Sequence, residues 1–160
     1  MLEQINEAAS VAHEFTKHYY EHRDKRKAMK GFYMNNGLLV FNGNNISGDT
    51  EVADFLQKLP PTEHIIVTLD AQPIIESNAG KTNIIQTSGT VKIDSQKSKA
   101  FQQSFLITAV DTKWKIVTDT FRLQDGICGE IKIWIKNFWK FKFVKFFSEW
   151  LKKKKKKTLT

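Results

Sequence analysis

Four strand-length segments follow one another between His64 and Gln124: HIIVTLDAQPII, TNIIQTSGTVKI, KAFQQSFLITAV and WKIVTDTFRLQ. Short polar turns separate them, which predicts an antiparallel meander. In the third segment Phe101, Gln103, Phe105 and Ile107 fall on one face, and Gln102, Ser104, Leu106 and Thr108 on the other. In the fourth, alternation puts Arg122 with Trp114, Ile116, Thr118 and Thr120, and puts Val117, Asp119 and Phe121 opposite. Several segments are apolar on both faces, as strands are when a sheet is covered on both sides.

What precedes the strands is helical. Ile5, Ala9, Ala12, Phe15 and Tyr19 recur at three- and four-residue spacing and predict one long amphipathic helix. The charged cluster His22–Lys27 interrupts it and leads into a short second helix ending near Met29. FYMNNGLLVFNGN reads as a hairpin turning at Asn35-Asn36-Gly37, since Asn and Gly tolerate positive φ. SGDTEVADFLQKLP predicts a third helix, capped by Asp49 or Thr50 and stopped by Pro60-Pro61, with Val52, Phe55, Leu56 and Leu59 inward. Helices followed by a run of strands define an α+β fold. Three helices cover one sheet face only, so the apolar residues of the other face call for a partner.

The composition changes abruptly after the last strand. The chain has 160 residues and a formal charge of +8, but residues 1–126 carry 14 basic and 15 acidic side chains. The whole excess lies in residues 127–160, with 11 Lys against 2 Glu. The domain is therefore expected at 1–126, near neutrality, which removes the electrostatic case for its binding nucleic acid directly. For the tail three accounts compete. Lys132, Lys136 and Lys140 among aromatics suit a basic amphipathic helix, and Lys152–Lys157 suits a nuclear-import patch. Against both, its apolar residues fall on every side of a helical wheel. Lys, Phe, Ile and Asn are also the residues of codons built from A and T alone, so read-through or mis-splicing is the favoured account.

Few function classes survive a search for motifs. Cys128 is the sole cysteine, so no internal disulfide forms. No signal peptide or 18-residue uncharged apolar span is readable, which points to a reducing compartment and makes the Asn45–Ser47 triplet an idle glycosylation match. His18 and His22 have two-ligand helical spacing with Glu14 and Glu21 nearby, but nothing signals a third ligand, so no metal is expected. Asp70 and Asp119 lie inside strands, and Asp119 is the better candidate for a buried proton-transferring carboxylate. No motif supplies it with a partner base.

The phrases YYEHRDKR, FYMNNGLLVFNGNNISG, FLQKLPPTEH, DAQPI, GTVKI, FQQSFLITA and WKIVTDTFRLQD occur in an order that resembles the nuclear transport factor 2 family. Within it, they are similar to the small cofactor subunits of the messenger-RNA export receptor. The resemblance covers roughly residues 8–125 and implies a cone: a strongly bent antiparallel sheet around a long N-terminal helix, with two shorter helices. It implies a non-catalytic, cofactor-free subunit that heterodimerises through its sheet face with the related domain of the large receptor. Nucleoporins would be met through that complex and RNA indirectly, with no membrane contact by the domain, in a shuttle between nucleus and cytoplasm through the pore. Arg122 would bond a partner carboxylate across the interface, with Thr118, Thr120 and Gln124 around it. Two alternatives stay open: a homodimeric carrier of the GDP form of the small GTPase Ran, and a small-molecule enzyme working in the cone. Chains of this family usually end near the position of Gln124-Asp125, and this one runs on.

Overall fold

The computed structural model describes residues 1–75 and 80–124, within one compact unit, Met1–Gln124. Expectations for the tail from Asp125 onward lie outside the described residues. Helix α1 (Leu2–Asp24) leads through a 3-10 turn (Lys30–Phe32) into β1 (Tyr33–Phe41), β2 (Asn44–Ser47) and helix α2 (Asp49–Lys58). The meander follows as β3 (Thr62–Pro73), β4 (Thr82–Ile93), β5 (Lys99–Val110) and β6 (Lys113–Leu123). All six strands form one sheet in the order β2-β1-β6-β5-β4-β3.

The meander agrees with the alternation, and four details differ from expectation. The sheet is mixed, because β1 runs parallel to its neighbour β6 while every other pair is antiparallel. Asn35-Asn36-Gly37 is not the turn: it lies inside β1, at an irregularity between Tyr33 and Leu38. A Cβ on Gly37 would stand 2.9 Å from the Met34 carbonyl oxygen and 3.1 Å from that of Ile116, so glycine is needed there for close backbone approach. The hairpin turns instead at Asn42-Gly43, where both residues have positive φ. The second helix is only the 3-10 turn, in a stretch with too few apolar residues for a buried stripe. Finally, α2 is capped by Gly48 with no side-chain hydrogen bond, and Asp49 is already its first residue.

Helix α1 buries Ala8, Ala12, Phe15, Thr16, Tyr19, Tyr20 and Arg23, whereas Ile5 and Ala9 are exposed. The buried stripe therefore starts at Ala8, three residues after the first apolar residue of the expected spacing. Small alanines bring the helix backbone close to the sheet, and aromatics fill the space beyond. Phe105 meets Phe15 and Tyr19 edge-on, and Phe121 stacks on Phe41 at 4.8 Å and on Phe101 at 5.3 Å. Such pairs add about 0.5–1.5 kcal/mol each beyond area burial.

Two clamps hold the end of α1. Arg23 and Arg26 donate to the carbonyls of Leu56, Leu59 and Gln57, satisfying the C-terminal carbonyls of α2. The Asp24 carboxylate accepts from the Thr62 hydroxyl, the His64 backbone N–H and the His64 ring, covering the start of edge strand β3. Burial opposes Asp24 ionisation, yet these hydrogen bonds outweigh it and hold the carboxyl below its ordinary range. Burial of His64 pulls its ring down, against the attraction of Asp24.

Candidate partner face and buried carboxylate

Each meander strand shows one face to α1 and the other outward, and bulges decide which residue goes where. Between Leu106 and Ile107 the β5–β6 register shifts, so Val117 has no opposite number. An inserted residue reverses alternation beyond it. Ile116 is therefore fully buried opposite Ile107, and Trp114 lies beside α1 residues Gln4 and Ala8. Both were expected outward with Arg122, and the bulge corrects that assignment. Beyond it the expected faces hold: Asp119, Phe121 and Leu123 are buried, Thr118 is half-buried, and Thr120, Arg122 and Gln124 are exposed.

The outward residues form rows across the strands. Thr68, Ser88, Gln102 and Arg122 make one row, and Asp70, Gln86, Ser104 and Thr120 the next. A third runs Gln72, Ile84, Leu106, Thr118. The two middle rows are chiefly hydroxyls and amides, including a Thr68–Ser88 hydrogen bond at 2.6 Å. Apolar residues flank them: Ile65 and Val67 on β3 are 65% and 70% exposed, and Ile84 is exposed as well. Among the described residues no carboxylate lies within ion-pair distance of Arg122, and Gly43 is packed near its guanidinium. The Gln124 backbone N–H is spent on the Ala100 carbonyl.

On the inner face Asp119 is fully buried and collects three hydrogen bonds. Tyr33 and Tyr19 donate to Oδ2 at 2.7 and 2.9 Å, and the Gln103 amide to Oδ1 at 2.8 Å. Gln103 in turn accepts from Tyr20, whose hydroxyl also meets Thr87 at 2.8 Å. The cluster joins β1, α1, β6, β5 and β4 through side chains alone. Burial pushes the Asp119 carboxyl up to about 6, against the hydrogen bonds of Gln103, Tyr33 and Tyr19. Tyr19 and Tyr33 are raised too, chiefly by burial. The sequence offered half of this: Gln103 and Tyr19 stand at inward positions among apolar residues, where a polar group needs a partner.

A raised carboxyl suits proton transfer, but the space around it is closed. The cavity lined by Tyr19, Arg23, His64, Gln103 and Phe121 measures about 10 Å³. That is roughly room for one water, against about 300 Å³ or more for a small-molecule site. Asp70, the other strand aspartate, is exposed on the outer face and far from this cluster. His18 is exposed, the His22 ring bonds the His18 carbonyl, and Glu21 pairs with Lys25. Among the described residues no group of three or more His, Cys, Asp or Glu side chains is placed to hold a metal.

Residues 11–123 match the model of the nuclear transport factor 2 domain family. The chain belongs to the nuclear transport factor 2 family. It is 40% identical over 128 residues to the human protein called NTF2-related export protein 2, covering 76% of this chain and 90% of that one. A solved nuclear transport factor 2 from Cryptosporidium parvum superposes with a TM-score of 0.65 at 23% identity, over 76% of this chain and 95% of that one. A chain of the C. albicans Mtr2–Mex67 M domain complex gives 0.63 at 11% identity, over 77% and 99%. Membership accounts for the long N-terminal helix and the six-stranded mixed sheet described above.

Proposed function

We propose that the chain is a non-catalytic nuclear export cofactor. It heterodimerises, through the outward face of β3–β6, with the nuclear transport factor 2-like domain of the large messenger-RNA export receptor. The observation that carries this reading is the placing of Arg122: exposed, near the end of an interior strand of the sheet, and without a carboxylate of its own chain among the described residues. A guanidinium there is pre-formed for a two-pronged bond to a carboxylate arriving from outside. The exposed Ile65, Val67 and Ile84 supply apolar area for the same contact. Names of relatives support it, since the human relative is called an export protein. The subunit then stabilises its receptor and travels with it between nucleus and cytoplasm, meeting nucleoporins and RNA through the complex.

Filling of the interior favours a binding role over an enzymatic one, because the cavity beside the Asp119 cluster, about 10 Å³, is too small for a substrate. Among the described residues no helix is long and apolar enough to cross a membrane. The test is co-purification of the full chain from cells of its source. Recovery of a large export receptor is expected. Recovery of Ran in its place would favour a homodimeric carrier.

A further inference from the structure

We infer that Asp70 is a second recognition point of the outward face, one that takes a lysine or arginine of the partner. Resting on the heterodimer reading above, it names the chemistry the partner must present. Asp70 is exposed on β3, opposite Gln86, in the row next to that of Arg122. At about 4.8 Å per strand, the three strand spacings from β3 to β6, with the offset of one row of about 7 Å, put it roughly 16 Å from Arg122. Among the described residues no cation lies within ion-pair distance of it. Its cross-strand neighbours are amide and hydroxyl side chains, so the described residues leave this charge unanswered.

Apolar exposure says that a covering surface extends this far. Val67 lies three residues before Asp70 on the same strand, and Ile84 lies diagonally across the β3–β4 pair, opposite Gln72. A partner that covers both of them and also reaches Arg122 strips water from Asp70. A carboxylate desolvated without a cation is costly, so the partner's face must bring one. The two points then have opposite sign at opposite ends of the face. That polarity fixes which way round the partner docks and penalises a reversed arrangement by like-charge contact.

The experiment titrates the nuclear transport factor 2-like domain of the large export receptor into the full chain and into Asp70→Asn and Asp70→Lys, at low and high salt. Asp70 is exposed, so both variants are expected to keep the parent's melting point. Asp70→Asn should bind several-fold more weakly, and Asp70→Lys at least about tenfold more weakly with slower association. The salt dependence should shrink in Asp70→Asn. Equal binding by all three chains, or tighter binding by Asp70→Lys, overturns the inference while leaving the heterodimer intact. No binding by the parent chain sinks the heterodimer reading itself. Sedimentation of the chain alone adds a further arm, since a second copy could also offer its Asp70 to Arg122. A dimer dissolved by Asp70→Lys and by Arg122→Glu, and restored by the double variant, would make that copy the occupant and overturn the inference.

Discussion

Tyr33 donates a 2.7 Å hydrogen bond to Asp119, fastening β1 to β6 where the two strands run parallel. With Tyr19 and Gln103 on the same carboxylate, this contact makes the core of the fold sensitive to protons. The folded Asp119 carboxyl stands at about 6 against an ordinary 3.8, so the folded state holds its proton more tightly than the unfolded chain. Its contribution is most favourable below about pH 3.8 and is lost as pH rises through about 6. A shift of this size corresponds to about 3 kcal/mol. The stability of Asp119→Asn relative to the parent should therefore rise by that order between pH 4 and pH 7.5. Urea unfolding of both chains across the range reads it, and parallel profiles would refute it. The Asp24–His64 clamp cancels in the difference because both chains keep it.

Gly89 sits in β4 opposite Ile66, beside the bulge at Val67. A Cβ there would fall 1.9 Å from the Ile65 carbonyl oxygen, closer than any contact can be. Gly89→Ala must push β3 away from β4 and should cost about 2 kcal/mol or more, within the range known for strain in a packed core. Thermal melting checks it. An unchanged midpoint would mean that the bulge is not built as described.

Deleting residues 127–160 should leave melting and receptor binding intact, because the unit Met1–Gln124 already holds every strand, helix and clamp described. Removing that segment should also abolish weak, salt-sensitive RNA binding by the full chain, since the excess of lysine lies there. A truncated chain that melts earlier or loses its partner would contradict this.

The strands and the inward placing of Asp119 and Phe121 are legible in the sequence because alternation is a local signal. Bulges are not. Nothing in WKIVTDTF marks Val117 as the extra residue, and that one insertion moved Trp114 and Ile116 to the inner face. Asn35-Asn36-Gly37 has turn chemistry, yet tertiary pairing with β6 drew it into a strand, and the weaker-looking Asn42-Gly43 made the turn. The Asp119 cluster was half legible for another reason. Its hydrogen-bonded partners are 14 to 100 residues apart in the chain, so only the fold shows that they converge. Arg122 could be placed on its face from spacing, but the absence of a carboxylate around it among the described residues could not be read from the sequence.

Calorimetric titration of the receptor's nuclear transport factor 2-like domain into Arg122→Ala and Phe121→Ala chains tests the central claim most directly, with melting of each as control. These neighbours face opposite ways on β6: Arg122 is exposed, and Phe121 is buried between Phe41 and Phe101. Arg122→Ala should keep its melting point and lose about 2–5 kcal/mol of binding, largely from the partner carboxylate left unpaired. Lysine at this position should restore only part of it. Phe121→Ala should lose about 3–5 kcal/mol of fold stability. If Arg122→Ala binds like the parent while Phe121→Ala melts like the parent and loses the partner, the outward face of the sheet is not the binding face.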